Sequence, residues 1–263
     1  MKTILITGAG SGIGLATLKL AHEAGYKIIA AIHYEKEALR LPSDVEWIAG
    51  DLTKSSIREE IIKKFAHKTD IIILNAGHGE SGPLIEQPEE RIRKVFEINV
   101  FSTILLAQGF GKVMAKRRHG RLIFVSSLAG FFTIPTLGAY CATKHALEAL
   151  ADAIRMELKP FNVEVASLEP GLIYTGFNEG MAASKFDWLT KNSLFADSMD
   201  EWKERDETLP SRSYKVEIAA KDLFKIITAK SPRAHNPTPR IYAYIKFFFH
   251  FLPTKLQDLI LSS

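Results

Sequence analysis

The chain has 263 residues, 46% apolar and 24% charged, with 34 basic residues against 30 acidic ones. That size suits one large α/β domain or two small ones, and a net charge of +4 is too small and too dispersed to argue for nucleic acid as a partner. Cys141 is the only cysteine, so no intrachain disulfide can form, no oxidising compartment is indicated, and a cytoplasmic setting is expected. The tight basic cluster at 116–121 reads as cations at a helix C-terminus, and the N-terminus enters a strand pattern at once, with no signal-peptide features.

Residues 1–25 begin as a short β-branched run, turn through glycines, and continue with Ile13, Leu15, Ala16, Leu18 and Leu20 at helical spacing up to Gly25. Strand, tight loop and helix in this order expect a pyrophosphate, because glycines let the backbone approach it and the helix N-terminus favours an anion. The spacing is Thr7-Gly8-x-x-x-Gly12-x-Gly14, which differs from the general G-x-G-x-x-G fingerprint. A true G-x-G-x-x-G occurs at Gly77, Gly79 and Gly82, but Pro83 and Pro88 follow it and no helix opens there. It is read as a chance match.

Downstream, 27–32 and 44–49 read as strands, 53–68 as a helix and 70–75 as a third buried strand. Strands alternating with helices imply a parallel sheet with right-handed crossovers. Residues 88–118 form one long helix pattern, opened by a proline and acidic residues and closed by basic ones and Gly120. Asn99 sits within it among apolar residues, where an amide is a poor helix former and needs partners.

The run at 121–127 reads as a buried strand ending at Ser126 and Ser127, and a second long helix pattern covers 136–159. Tyr140 and Lys144 lie on this helix at i and i+4, so phenol and ammonium share a face. A nearby fixed cation draws a phenol's pKa down from about 10, which makes Tyr140 a plausible general acid/base. The hydroxyl of Ser127, thirteen residues earlier, would hold a substrate oxygen before the phenol. Tyr242 and Lys246 repeat the spacing without a preceding strand and serine, and Lys246 is read there as a snorkelling lysine in an apolar segment. Residues 162–170 are a further strand, ending at Pro170-Gly171. Beyond Thr175 come an aromatic-rich stretch at 176–210, an amphipathic helix at 213–230, a last strand at 240–244 and an apolar tail at 241–263.

Taken together, Thr7-Gly8-x-x-x-Gly12-x-Gly14, Asn75-Ala76-Gly77, Asn99, Ser127, Tyr140-x-x-x-Lys144 and Pro170-Gly171 resemble the short-chain dehydrogenase/reductase family over about residues 1–178. The resemblance implies a single Rossmann-like α/β domain over 1–263: a doubly wound parallel sheet of about seven strands, with helices on both faces. It implies an enzyme that interconverts an alcohol and its ketone or aldehyde with a nicotinamide cofactor. Tyr140 would be the general acid/base, Lys144 would lower its pKa, Ser127 would orient the oxygen, and Asn99 would hold a water at a helix irregularity. Cofactor contacts carried over in the same way are Thr7, Gly8, Ser11, Gly12, Ile13, Gly14, His33, Asp51, Leu52, Asn75, Ala76, Gly77, Tyr140, Lys144, Pro170, Gly171, Ile173 and Thr175. No metal is expected.

At the end of the second strand a carboxylate would hold the NAD ribose. Ile32 stands there instead, followed by His33, so NADP(H) is favoured over NAD(H). For Asp51 the alternative is a plain helix N-terminal charge, and for Asn75 an Asx-turn. A substrate lid is expected at 176–210. The tail at 241–252 is too short to span a bilayer and meets Pro253. It reads as a lid packing on 177–202 beside a bulky apolar substrate of steroid, retinoid or lipid type, or else as an interfacial anchor. A homodimer or homotetramer through the two long helices is expected. The competing class is a non-catalytic nucleotide-binding sensor or scaffold; a sugar-nucleotide epimerase is disfavoured by the gap between Gly8 and Gly12.

Overall fold

The structure, a computed structural model, describes residues 1–262; Ser263, the last residue of the apolar tail, lies outside the described residues. Among the described residues a seven-stranded sheet is built from β1 (Thr3–Thr7), β2 (Lys27–Ile32), β3 (Glu46–Ala49), β4 (Ile71–Leu74), β5 (Gly120–Val125), β6 (Val163–Pro170) and an edge strand His235–Thr238. A separate parallel pair, β7 (Ile173–Tyr174) and β8 (Tyr214–Lys215), precedes that edge strand in the chain, which is therefore β9. The order is β3-β2-β1-β4-β5-β6-β9 and every pairing is parallel. This is the doubly wound, Rossmann-like arrangement.

Near-continuous apolar strands such as TILIT and IIIL are what a sheet covered on both faces requires. Successive side chains serve opposite faces. Leu5, Ile29, Ile72, Leu122 and Phe124 point to one core, which α2 (Ser55–Phe65), α4 (Thr103–Arg117) and α5 (Gly138–Leu158) close. Ile4, Ile6, Ile71, Ile73 and Ile123 point to the other, closed by α1 (Gly12–Glu23) and α9 (Val216–Thr228). Arg121, buried at the start of β5, fastens α9 to the sheet by donating to the carbonyls of Ile226 and Ile227 while pairing with Glu164.

The long pattern at 88–118 is α3 (Glu89–Phe96), a π turn Glu97–Ser102 and α4 in unbroken succession. By length and composition Glu89–Arg117 could cross a membrane, yet Leu106, Ala107, Phe110 and Met114 from it fill the core over the sheet. Insertion 176–210 folds into short helices, α6 (Phe177–Ala183), α7 (Met199–Glu207) and α8 (Leu209–Arg212). It is fixed to the body by Ser81, whose hydroxyl donates to Met181 O at 2.6 Å, and internally by the ion pair of buried Lys185 with Asp206.

Two expectations need correction. The last strand is not at 240–244: it is β9, HNPT, and the residues from Ile241 open α10 (Ile241–His250), followed by α11 (Thr254–Ser262). Pro237 masks the strand in the sequence, because proline cannot donate to a ladder; at a sheet edge, pairing on one side only, it is tolerated. Lys246 does not snorkel. Its ammonium turns inward to the buried carboxylate of Glu169 and lies 4.9 Å from the Phe131 ring centre.

Candidate active site

The carboxyl ends of β1, β4, β5 and β6 surround a cleft of about 410 Å³ lined by Gly8, Ser11, Gly12, Asn75, Gly77, Ser127, Tyr140, Lys144, Gly171, Thr175 and Phe177, among others. It opens where the strand order reverses between β1 and β4, the usual place for a ligand in such sheets. Every residue expected from the sequence to meet a cofactor or the reacting group lies in this cleft, in the groove continuing from it, or directly behind it. The groove, about 420 Å³, is lined by Ser11, Ile32, His33, Asp51, Leu52 and Ala76.

The glycine loop has the form of a cradle. Gly8 has φ +64°, and a Cβ there would meet Ala76 Cα at 2.9 Å, while one on Gly14 would strike the carbonyl of Gly8. Ser11, in extended conformation, caps α1 without using its side chain, which leaves the first-turn N–H groups without a side-chain acceptor where Ser11, Gly12 and Ile13 line the cleft. The residues present therefore fit a dinucleotide pyrophosphate. Thr7 and Asn75 lie behind the loop and hold it. The Thr7 hydroxyl accepts from Asn75 N and Ala76 N, each at 3.0 Å, and the Asn75 amide donates to Thr7 O and Gly8 O at 3.0 and 3.1 Å. Asn75 is thus a clamp between strand ends and not an Asx-turn. Asp51 lines the groove and also closes a local turn, accepting from Thr53 N at 2.9 Å. Burial works to raise its pKa, but the hydrogen bonds from Thr53 outweigh this and hold it below the usual carboxylate range.

The chance G-x-G-x-x-G is a packing feature. A Cβ on Gly79 would meet Met181 and one on Gly82 would strike Trp188, so these glycines let the insertion close against the body.

Glu37 was missed. It belongs to the turn Glu35–Arg40 after β2, and its carboxylate folds back to accept from His33 N at 3.0 Å and to cover Gly10. No local signal marks it, because its approach depends on the path of that turn.

At the reacting end, α5 presents Tyr140 and Lys144, 6% and 5% exposed. Ser127 reaches the phenol from the end of β5, its Oγ accepting from Ala129 N at 3.1 Å. Lys144 Nζ donates to Val125 O at 3.1 Å and lies 5.7 Å from the Tyr140 ring centre. Burial raises the Tyr140 phenol well above its ordinary value, with the Ser127 hydrogen bond working the other way. Burial also lowers the Lys144 ammonium to about 8, and the Glu148 carboxylate opposes that. For the protein alone the Tyr140 phenol thus lies above its ordinary value and not below it, as expected from Lys144, because burial outweighs the Ser127 hydrogen bond.

Asn99 does sit at a helix irregularity, the π turn. Its amide is spent on protein partners: Oδ1 accepts from His78 N at 2.7 Å, and Nδ2 donates to His78 O at 2.9 Å and to Thr143 Oγ1 at 3.1 Å.

Behind Lys144 lies a chain of charges that crosses distant parts of the sequence. Glu148 is one turn further along α5, and its carboxylate accepts from Ser167 Oγ and from His235 Nδ1, both at 3.1 Å. His235 also meets Glu169 at 3.0 Å and Asp152 at 3.3 Å, and Glu169 carries Lys246. Hydrogen bonds to Glu148 and Glu169 lift His235 to about 10, so the imidazole is cationic at neutral pH. Donor atoms of Glu148, Glu169 and His235 lie within 4.8 Å of one another, as in a metal site; here the imidazolium and the Lys246 ammonium already neutralise the carboxylates.

The description "short chain dehydrogenase" matches residues 2–185. The 3-ketodihydrosphingosine reductase of Bacteroides thetaiotaomicron is 33% identical over 201 residues, covering 75% of this chain and 72% of that protein. The NADPH-dependent 3-dehydrocapnine reductase of Ornithobacterium rhinotracheale is 28% identical over 273 residues, covering 99% and 96%. Among solved structures, a short chain dehydrogenase/reductase from Burkholderia phymatum in complex with NAD superposes with a TM-score of 0.81 at 20% identity, covering 99% of this chain and 94% of that one. The chain belongs to the short-chain dehydrogenase/reductase family and is an oxidoreductase acting on CH–OH groups.

The His235 cluster gives stability a pH dependence of defined sign. A histidine whose folded pKa is raised from about 6.5 to about 10 adds stability that is full below the unfolded value and is lost as pH rises through the folded one. The melting temperature of the unmodified protein should exceed that of His235→Asn most near pH ~6.5, with the gap closing towards pH ~10. A gap that stays constant or widens over that range would contradict the assignment.

Proposed function

We propose that this short-chain dehydrogenase/reductase interconverts a bulky apolar alcohol and its ketone or aldehyde using NADP(H). The observation that carries the reading is the convergence of Ser127, Tyr140 and Lys144 in one cleft beside the glycine cradle. When bound, the nicotinamide supplies or accepts the hydride. Every other part of the reaction falls to side chains of this chain.

In reduction, the Ser127 hydroxyl holds the carbonyl oxygen against the Tyr140 phenol. Burial keeps that phenol protonated, which is the form needed to give a proton to an oxygen gaining negative charge. The phenolate left behind is then opposed by the buried ammonium of Lys144, whose attraction is strong because little water reaches it. Oxidation runs the same path backwards. Asn99 we assign to positioning: it fixes the backbone of His78 and, through Thr143, the first turn of α5. A non-catalytic sensor would not need the buried tyrosine and lysine, each costly to desolvate, to face the same cavity.

The apolar substrate class is supported by Phe177, whose ring centre is 6.0 Å from that of Tyr140, and by Leu128, Phe131, Phe132 and Tyr242 clustered next to Ser127 and Gly171. A relative named for a reductase of 3-ketodihydrosphingosine agrees with this. Preference for NADP(H) is supported by the absence of a carboxylate at Ile32, by His33 in the groove and by a relative named as NADPH-dependent. Glu37 opposes a 2′-phosphate and must swing aside for it. A homo-oligomer in the cytoplasm completes the proposal; exposed Phe101, Leu105 and Met156 on the long helices suit subunit pairing, and buried Cys141 suits a reducing compartment.

Replacement of Tyr140 by Phe is expected to lower hydride transfer by at least ~10²-fold, with cofactor affinity kept within a few-fold, and Ser127→Ala to cost less. A spectrophotometric screen at about 340 nm of apolar ketones and alcohols reads this; near-normal turnover by Tyr140→Phe would remove the phenol from the mechanism.

Fluorescence titration should give tighter binding of NADPH than NADH, with Glu37→Gln widening the difference by relieving repulsion. Equal or stronger affinity for NADH in the unmodified protein would refute the cofactor assignment.

A further inference from the structure

The inner face of α10 is accounted for. Phe249 is buried edge-to-face on Phe132 with ring centres 4.7 Å apart, Tyr242 lies against Gly171, and Lys246 pairs with Glu169. These contacts are made with the loop after Ser127, so the expectation that the tail packs on 177–202 is corrected: its apolar cluster joins Leu128, Phe131, Phe132 and Ile134.

The opposite face is not accounted for. Tyr244, Phe247, Phe248 and Phe251, spaced i, i+3, i+4 and i+7, form one outward stripe, and they are 66%, 60%, 66% and 69% exposed. Phe247 gathers Phe248 and Phe251 around it, with ring centres 5.5 and 5.2 Å away. On α11, Leu256 and Leu259 are likewise exposed. A surface helix of a soluble domain needs one apolar face. Two consecutive helices with a second apolar face point to a ligand surface that covers it.

Length and charge identify the occupant. Helices of 10 and 9 residues separated by Pro253 are too short to span a bilayer but suit lying in its interface. Exposed Arg240 and Lys255, four residues before Tyr244 and four after Phe251, border the stripe, and Asp258 is the one acidic residue between 240 and 262. A two-fold pairing of the stripe with another copy would set this basic rim against itself, whereas anionic headgroups complement it.

We propose that the outer face of α10 and α11 docks on an anionic lipid bilayer, with the aromatic stripe at the acyl boundary and the basic rim among the headgroups. Because the inner face of α10 packs on Gly171 and on the loop that follows Ser127, docking sets that side of the cleft towards the membrane. The inference deepens the functional reading, on which it rests for its purpose: the bilayer is where the apolar substrate is drawn from.

The test is sedimentation of the full chain with phosphatidylcholine vesicles, with and without about 30% phosphatidylglycerol, beside the variant Phe247→Ser/Phe248→Ser/Phe251→Ser. Expected are preferential binding to the anionic vesicles and a loss of at least ~10-fold in the variant, with unchanged melting and NADPH titration. Absence of binding by the unmodified protein, or equal binding by the variant, would overturn the proposal. So would a variant that changes only the oligomeric state in light scattering, which would assign the stripe to a second copy. Turnover of water-soluble carbonyl compounds, assayed on both proteins without vesicles, separates the two readings: its absence counts against the catalytic reading and leaves the sedimentation result to decide docking.

Discussion

The constraint on which this structure depends is that a phenol and an ammonium, one helical turn apart on α5, are both withdrawn from water. Placing an ammonium in such surroundings costs on the order of several kcal/mol unless other groups compensate. The fold supplies those groups. The carbonyl of Val125 at the end of β5 accepts a hydrogen bond from Lys144, and Glu148 on the next turn favours its charged form. The same sheet end delivers Ser127 to the phenol, so one strand end holds both the lysine and the serine of the cleft.

Compensation reaches further than the cleft. Glu148 would itself be a poorly solvated carboxylate without His235, and His235 is held by Glu169, which Lys246 neutralises in turn. A buried charge is tolerated where it is paired, and here the pairing extends from Lys144 to the C-terminal helix. This accounts for how α10 comes to be seated beside Ser127: an ion pair and Phe249 fix its inner face, leaving the outer one free for a different medium.

Much of the fold was legible because parallel strands buried on both faces read as uninterrupted β-branched runs, and α1, α2, α5 and α9 show clear periodicity. Cleft residues were legible for two reasons: the positive φ of Gly8, the fit of Gly14 against the Gly8 carbonyl and the shared face of Tyr140 and Lys144 are demands of one loop and one helix, while Asn75, Asn99 and Ser127 were legible through the family resemblance. What escaped depends on contacts distant in sequence. HNPT carries no apolar signal, and Pro237 argues against a strand unless its edge position is known. Glu148 and His235 are 87 residues apart. Only the i, i+4 spacing of Lys144 and Glu148 could have pointed to their coupling. Lys246 looked like a snorkelling residue because nothing local reveals Glu169, and the direction of the Tyr140 shift could not be read without knowing how deeply α5 is buried.

In the mechanism we propose, the ammonium of Lys144 supports proton transfer by Tyr140 while Glu148 keeps it charged. The most direct measurement is the pH dependence of kcat/KM for carbonyl reduction at saturating cofactor, in the unmodified protein and in Glu148→Gln. Reduction should fall as pH rises past about 8, where the ammonium is lost, and the variant should show the same fall at lower pH because the group that raises the lysine has gone. A profile that stays flat or rises through this region, or a fall at the same pH in both proteins, would contradict it.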